Sequence, residues 1–588
     1  MTQTKTAVTE AINTTEAIAE HYDALPYTSN PFPQTAPEQL HSVAYLFGLD
    51  LCPPANARVL ELGCAAGGNI IPFAARHPGA TVVGIDLSGV QVGVGQQAIE
   101  ATGLKNITLK QGSIADLDKS IGQFDYIICH GVYSWVPEDV RAAILRICGE
   151  CLSTNGIAYI SYNAYPGWKA KEIVRDAMLL RAAGRPESER LAYARGLVDF
   201  MHDNASPGSL LQKVMEDNIK SIREHDSYYL AHEYLERCNN PYYFQDFIAA
   251  ARTEKLDYLA EANIVSMFLS NHPKEIAEPL LQECGGSQVV LEQLLDFISN
   301  RTFRQTLLVR QQHVPNIAYR LNWDRMRKLH VACVSTPDPE NPDTWKTRSG
   351  ISLFTSRPVP ALVVKMLNDA WPSSVSVDEI VKHVSQHYED QPATQPVAEA
   401  VALETIQSFL TSGVLKFRVD PVMLGTLTPS TRPHVDPVIR KLAEFTADKQ
   451  LPLSISNGWH EPLARFDSGE RDLLALLDGT RTVDELVDAL YASYAATIQL
   501  PASIGTHVMN TQEDLKKTVR DSVKLYLDQF ASIALLTPSS DEKALAAKLT
   551  PKPAAAPATA AQAASKSESS NGNNNGSNAG KKNKNKKS

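Results

Sequence analysis

No run of about 18 consecutive apolar residues occurs in this 588-residue sequence, so no membrane-spanning helix is expected. The first residues lack a basic stretch followed by an apolar one, so no secretory leader is expected either. Cysteine is sparse: there are eight, and only Cys148 and Cys151 form a CxxC pair. That pair falls in Pro137–Leu152, which reads as a helix. It lacks the second pair or active-site turn that metal or redox chemistry needs, so two semi-buried thiols are expected. Such cysteine usage fits a reducing compartment, and a cytoplasmic location is expected. Positive charge is short as well. The net charge is −10, and residues 551–588 carry seven Lys and one Glu, a local +6, which leaves −16 on the other 550 residues. An acidic body argues against nucleic acid as a partner.

What is present is an ordinary globular composition, 43% hydrophobic and 21% charged, long enough for several domains. Prolines and aromatics crowd the segment from His21 to Pro33, which excludes a continuous helix there and suggests a strap packed over something. Strand and helix signals then alternate. Strands are expected at Arg58–Leu62, Thr81–Asp86, Ile107–Lys110, Phe124–Cys129 and Gly156–Tyr162, with helices at Asn69–Arg76 and Ser88–Ala101. That alternation predicts an α/β fold with a parallel, doubly wound sheet. Past Trp168 the pattern turns helical, with long amphipathic runs at Ser188–Met201 and Glu254–Leu269.

A weak repeat follows, about 106 residues apart: Val377-Asp378-Glu379-Ile380-Val381 and Val483-Asp484-Glu485-Leu486-Val487. In each copy a helix precedes the motif, and a further helix running into a short apolar stretch follows it. The apolar stretches are Gly413–Phe417 and Ile533–Leu536. This is a winged-helix pattern. The segment beyond Lys548 has almost no large apolar residue and is expected to be disordered.

Chemistry points to Val59–Asp86. A strand enters a turn with glycines at 63, 67 and 68 and leaves it at a helix N-terminus. Glycines allow close backbone approach, and the helix start offers free N–H groups. The spacing is not the GxGxxG of a dinucleotide site, since position 65 is Ala. Glu61 suits an ammonium group and would sit badly beside a pyrophosphate. Asp86, at the tip of the second strand and 18 residues after Gly68, can accept from both ribose hydroxyls. These features favour S-adenosyl-L-methionine (SAM) over a nicotinamide dinucleotide and over a plain structural turn. The expected cofactor-binding residues are Tyr22, Glu61, Gly63, Cys64, Gly67, Asn69, Asp86, Leu87, Ser113, Ile114 and His130.

The sequence resembles class I SAM-dependent methyltransferases. More narrowly, it resembles the bacterial group with a methyltransferase regulatory domain and a C-terminal winged-helix region, which includes rickettsial protein-lysine methyltransferases acting on outer-membrane proteins. The resemblance rests on Tyr22-Asp23, Pro26-Tyr27 and Phe32–Thr35, the glycine motif, and Ile85–Ser88. It also rests on His130–Pro137, Ser161–Trp168, Ala231–Leu235 and Phe303–Leu308. It implies a Rossmann-like methyltransferase domain, a helical middle domain and winged-helix-like C-terminal modules. The expected layout is a flexible N-terminus over 1–20 and the SAM domain with its strap over 21–168. A helical regulatory domain then spans 169–325, modules span 345–425 and 455–540, and the Lys-rich tail covers 548–588. The family often places an acid after the third strand. Here Ser113 stands at that place with Asp116 further on, and either can reach adenine.

Aromatics after strands four and five supply the expected catalytic wall: His130, Tyr133, Trp135, Tyr162 and Trp168. Such a wall lowers an amine pKa by desolvation and holds cations over ring faces. For each ring, packing of the strand ends is the alternative. The expected acceptor is a protein lysine, with an envelope or surface protein as the partner class. The rival readings are a small-molecule methyltransferase and a SAM-sensing regulator without turnover. No metal site is expected: His225, His232 and Glu236 share a helix face but lack HExxH spacing. The oligomeric state is left open, a dimer included.

Overall fold

Alternating apolar strands and amphipathic helices build a seven-stranded sheet in the order β3-β2-β1-β4-β5-β7-β6. The structure is a computed structural model, and it describes residues 23, 28–224, 230, 233–236, 238–425, 432–447, 453–504 and 507–538. Strands β1 (Arg58–Leu62), β2 (Thr81–Asp86), β3 (Ile107–Gln111), β4 (Phe124–Cys129) and β5 (Leu152–Asn163) run parallel. β7 (Phe303–Arg310) is antiparallel to β5 and to β6 (Leu256–Glu261). Leu60 lies opposite both Val83 and Ile127, at the centre of the core. Helices α1 (Pro37–Leu46), α2 (Ile70–Arg76), α3 (Gly89–Thr102) and α4 (Glu138–Cys151) accompany the parallel strands. Cys148 and Cys151 are free, buried thiols on α4.

Between β5 and β6 the chain leaves the sheet. Helices α5 (Trp168–Ala182), α6 (Glu187–Asn204) and α7 (Leu210–Glu224) share a small core of their own around Met178, Val198 and Met215. Helix α8 (Phe244–Thr253) then leads into β6. The helix expected over Glu254–Leu269 is not formed, because Leu256–Glu261 is strand β6. The run Leu256-Asp257-Tyr258-Leu259-Ala260-Glu261 is short and mixed, with side chains buried on both faces, so it shows no strand alternation and periodicity alone does not separate it from a helix. Pairing with β7 decides. Helix α9 (Gln288–Ser299) is tied to these strands by Arg304, which is fully buried. Its guanidinium reaches Glu261 (2.6 Å), Asp296 (2.8 Å) and Glu292 (3.2 Å) and lies over the Phe244 ring.

Further along, a small sheet β12-β8-β13 (Val375–Ser376, His330–Ala332, Lys416–Arg418) packs with α10 (Pro358–Ala370), α11 (Val377–His387) and α12 (Gln395–Thr411). A hairpin sheet β9 to β11 (Ser335–Asp338, Asn341–Thr347, Ser352–Phe354) lies between β8 and α10 in the chain. After it come α13 (Pro437–Phe445), the pair β14–β15 (Ile455–Ser456, Pro462–Leu463), α14 (Ser468–Leu476), α15 (Val483–Thr497), the hairpin β16–β17 (Ala502–Ile504, His507–Met509) and α16 (Gln512–Ser532).

The repeated Val-Asp-Glu has a local physical cause. Ser376 with Glu379, and Thr482 with Glu485, form capping boxes that start α11 and α15. The apolar stretch Ile533–Leu536, where the winged-helix pattern calls for a β element, forms no strand; the second module places its hairpin before its last helix. No described helix is long and apolar enough to cross a membrane. The expectations for 1–20, Tyr22, Tyr27, His225, His232 and the Lys-rich tail lie outside the described residues.

Candidate functional site

Order reverses between β1 and β4, and the loops leaving β1 to β4 meet at that switch point, where open α/β sheets bind ligands. They enclose a cavity of about 630 Å³. The glycine turn forms its floor. Gly63 has φ +76°, and a Cβ there would fall 2.4 Å from Val132 Cγ2, so the β1 and β4 loops fit only with glycine at this position. At Gly68 a Cβ would fall 2.1 Å from Ser29 O, which brings the strap onto the turn. Gly67 shapes the turn through its N–H to Cys64 O (2.8 Å) and is not among the lining residues.

Glu61 lies at the bottom of the cavity and is 3% exposed. Its Oε1 accepts from Asn69 Nδ2 at 2.7 Å, and its Oε2 has no hydrogen-bond partner. Burial pushes its carboxyl up to about 8. The Asn69 bond pulls the other way, and the nearby Asp86 charge adds to the rise. Asp86 ends β2 at the cavity edge. Its Oδ2 accepts from Ala65 N–H (2.7 Å) and its Oδ1 from Ser88 N–H (2.9 Å). Burial raises its pKa too, opposed by those backbone donors. Leu87, Ser113 and Ile114 line the next wall, and Asp116 does not. Ser113 also starts a short 3-10 turn by accepting from Ala115 N–H at 3.2 Å.

The expected aromatic wall divides. His130 and Trp135 line the cavity, whereas Tyr133, Tyr162 and Trp168 do not. Tyr133 and Tyr162 are buried and pack against Phe247, with the Tyr162 hydroxyl 3.1 Å from Thr306 Oγ1. Trp168 is buried edge-on behind Trp135, ring centroids 6.3 Å apart. These three rings form the core behind the wall. His130 Nδ1 lies 2.9 Å from the Tyr159 hydroxyl, and Phe32 of the strap covers its ring at 4.0 Å. Burial pushes the His130 pKa down to about 4, so the imidazole is neutral near pH 7.

Charge selects the ligand class. The lining residues include four carboxylates, Glu61, Asp86, Asp139 and Glu233, and no Lys or Arg. A pyrophosphate would find no cation there to offset its charge. SAM fits: Glu61 Oε2, which has no partner in the protein, can accept from an ammonium, Asp86 can take ribose hydroxyls, and a lining without cations tolerates a sulfonium. Sequence reasoning missed Ser29, Gln91, Asp139 and Glu233 as lining residues. The crowded prolines around Phe32 were a signal for the strap, but nothing local marks Glu233.

Comparison with known proteins adds three family matches. They are a methyltransferase domain over residues 59–156, a predicted methyltransferase regulatory domain over 226–310, and the C-terminal winged helix domain of PKMT over 435–535. The uncharacterized protein RP789 of Rickettsia prowazekii (strain Madrid E) is 31% identical over 555 residues, covering 91% of this chain and 97% of that protein. RP028 of the same organism is 37% identical over 240 residues, 40% of this chain and 96% of that protein. The solved structure of PKMT2 from Rickettsia typhi superposes with a TM-score of 0.75 at 29% identity, over 87% of this chain and all of that one. Its complex with AdoHcy gives 0.73 at 28% identity, with the same shares covered.

Proposed function

Because this chain belongs to the family of class I SAM-dependent methyltransferases that carry a regulatory domain and a PKMT-type C-terminal winged helix, we propose that it methylates a lysine side chain of a protein. The observation that carries the reading is the wall after β4. Trp135, Val136 and Pro137 make it apolar, and Asp139 and Glu233 add carboxylates beside it. Carboxylates attract a cationic chain end. The apolar wall then strips its water and favours the neutral amine that methyl transfer requires. Likeness to the structures named PKMT2 supports this, as does the resemblance to rickettsial protein-lysine methyltransferases.

Bound SAM supplies an electrophilic methyl group on a sulfonium. The chain's own residues bind, orient and exclude water. Glu61 receives the ammonium of the amino-acid end, Asp86 the ribose, and Ser113 and Ile114 the adenine. Phe32 closes over His130. With its pKa near 4, His130 is too weak a base to hold a proton taken from an ammonium, so the lysine sheds its proton to solvent as it enters the apolar wall and the neutral amine attacks the methyl. Alignment of the amine with the methyl is the main source of rate.

The test is incubation of the full chain with methyl-labelled SAM and bacterial envelope and cytosolic extracts, followed by peptide mass spectrometry. Label on lysine side chains is the expected result. Label only in small metabolites overturns the protein acceptor, and S-adenosylhomocysteine binding with no turnover on any extract overturns the enzyme reading.

A further inference from the structure

Behind the cofactor cavity, a residue from the far end of the chain touches its floor. The loop joining β14 to β15 presents His460, which is 1% exposed and has a left-handed backbone at φ +64°. Side chains rarely adopt that conformation, and it persists where surrounding contacts over-determine it. Here they do. Trp459 Nε1 donates to Pro372 O at 3.0 Å, and Asn457 Nδ2 donates to Ile533 O at 2.9 Å and Glu461 Oε2 at 2.8 Å.

The tautomer of His460 follows from its neighbours. Arg76 Nη2, 2.9 Å from Nδ1, can only donate, so Nδ1 carries the lone pair. Nε2 therefore bears the proton and donates to Asn69 Oδ1 at 3.0 Å. Burial and the Arg76 charge keep the ring neutral. The same Oδ1 accepts from Phe32 N–H at 3.0 Å and lies 2.9 Å from Thr35 Oγ1. With its oxygen committed to these donors, the Asn69 amide must turn its NH₂ to Glu61 Oε1. The strap is gripped from the same side. Ser454 N–H donates to Ser29 O at 3.0 Å, while Ser29 Oγ accepts from Gly68 N–H at 2.8 Å.

We propose that the C-terminal module is a working part of the cofactor site: His460 is a positioning residue that, through Asn69, aims Glu61 and seats the Ser29–Phe32 strap, so that cofactor binding and seating of the 453–461 segment are linked. Linkage of this kind is reciprocal. Whatever loosens the segment weakens the cofactor, and the cofactor tightens the segment. The proposal rests on the cavity being the SAM site and not on the identity of the acceptor.

The test uses the full chain with S-adenosylhomocysteine as probe. Calorimetry compares wild type with His460→Ala, His460→Gln and Asp86→Ala, and hydrogen exchange follows residues 453–461 with and without the probe. His460→Ala should weaken binding about tenfold, the loss of one buried hydrogen bond. His460→Gln, which retains an acceptor for Arg76 and a donor for Asn69, should stay within about threefold on the same scale. The probe should slow exchange at 453–461 in wild type. In turnover, His460→Ala should raise KM for SAM and leave KM for the acceptor unchanged. Equal weakening by Ala and Gln, or wild-type affinity in a folded His460→Ala, overturns the relay. Should His460→Ala fail to fold, the Gln variant and the wild-type exchange decide: lost affinity in Gln, or no protection, overturns it. Unchanged affinity in Asp86→Ala would instead mean that the cavity is not the SAM site.

Discussion

Glu61→Gln separates what this residue does for the cofactor from what it costs the fold. The buried carboxyl has its pKa pushed from 4.5 up to about 8. Between pH 4.5 and 7 the unfolded chain ionises this group while the folded protein keeps it protonated. The unfolded state therefore binds fewer protons, and stability falls as pH rises through that window. At 1.36 kcal/mol per unit the loss reaches about 3 kcal/mol by pH 7 and levels off above about pH 8, where both states are ionised. Glutamine has the shape of the protonated acid and does not titrate. Glu61→Gln should thus lie about 0–2 kcal/mol below wild type at pH 4.5, the cost of its own buried amide, and gain about 3 kcal/mol on it by pH 7, ending about 1–3 kcal/mol more stable. Thermal melting at pH 4.5 and pH 7 reads this directly.

Affinity should move the opposite way. In wild type the ammonium of the ligand draws Glu61 into its ionised form, so binding releases a proton. Wild-type affinity for S-adenosylhomocysteine should tighten about tenfold per pH unit from 6 to 7.5. It should then level off above about pH 8, where Glu61 is already ionised in the free protein. A charge-assisted bond is worth about 1.5–3 kcal/mol, and ionising Glu61 at pH 7 costs about 1.4 of it, which leaves about 0.1–1.6 kcal/mol, so Glu61→Gln should bind more weakly there by up to about fifteenfold. The variant should show no pH dependence between 6 and 7.5. Calorimetry in two buffers of different ionisation enthalpy counts the released proton. A flat wild-type profile, or a variant that is less stable at pH 7 and binds with wild-type affinity, would refute the reasoning.

Three further outcomes are expected. Gly63→Ala should abolish binding of S-adenosylhomocysteine, because its Cβ meets Val132 Cγ2; adding Val132→Ala should restore part of it, the left-handed strain of about 1 kcal/mol remaining. His130 should contribute no inflection near pH 6.5 to the rate profile, since burial holds it neutral down to about pH 4. Its depressed pKa instead makes stability fall as pH drops from 6.5 towards 4, a loss absent in His130→Asn. Arg304→Ala strands three buried carboxylates and should cost about 3–5 kcal/mol, read as lost soluble protein or a lowered melting temperature.

What the sequence by itself determined is the chemistry that works over short range. Strand, glycine turn and helix N-terminus follow one another within a dozen residues, so their order alone places Glu61 and Asp86 at strand tips. The capping boxes at Ser376 and Thr482 are equally local, which is why the helices they start are legible. Tertiary structure decided what depends on distant neighbours. Tyr133 and Trp135 are two residues apart on one short turn, yet one ring enters the core against Phe247 and the other faces the cavity. Nothing in their spacing separates them, because the packing partner is more than a hundred residues away. Leu256–Glu261 became a strand because β7 offered it a ladder, and its mixed sequence, without strand alternation, served either geometry. His460 carries no motif at all. Only the folded chain brings its imidazole, through Asn69, to the carboxylate that meets the cofactor, since a buried polar network takes its partners from wherever the backbone passes.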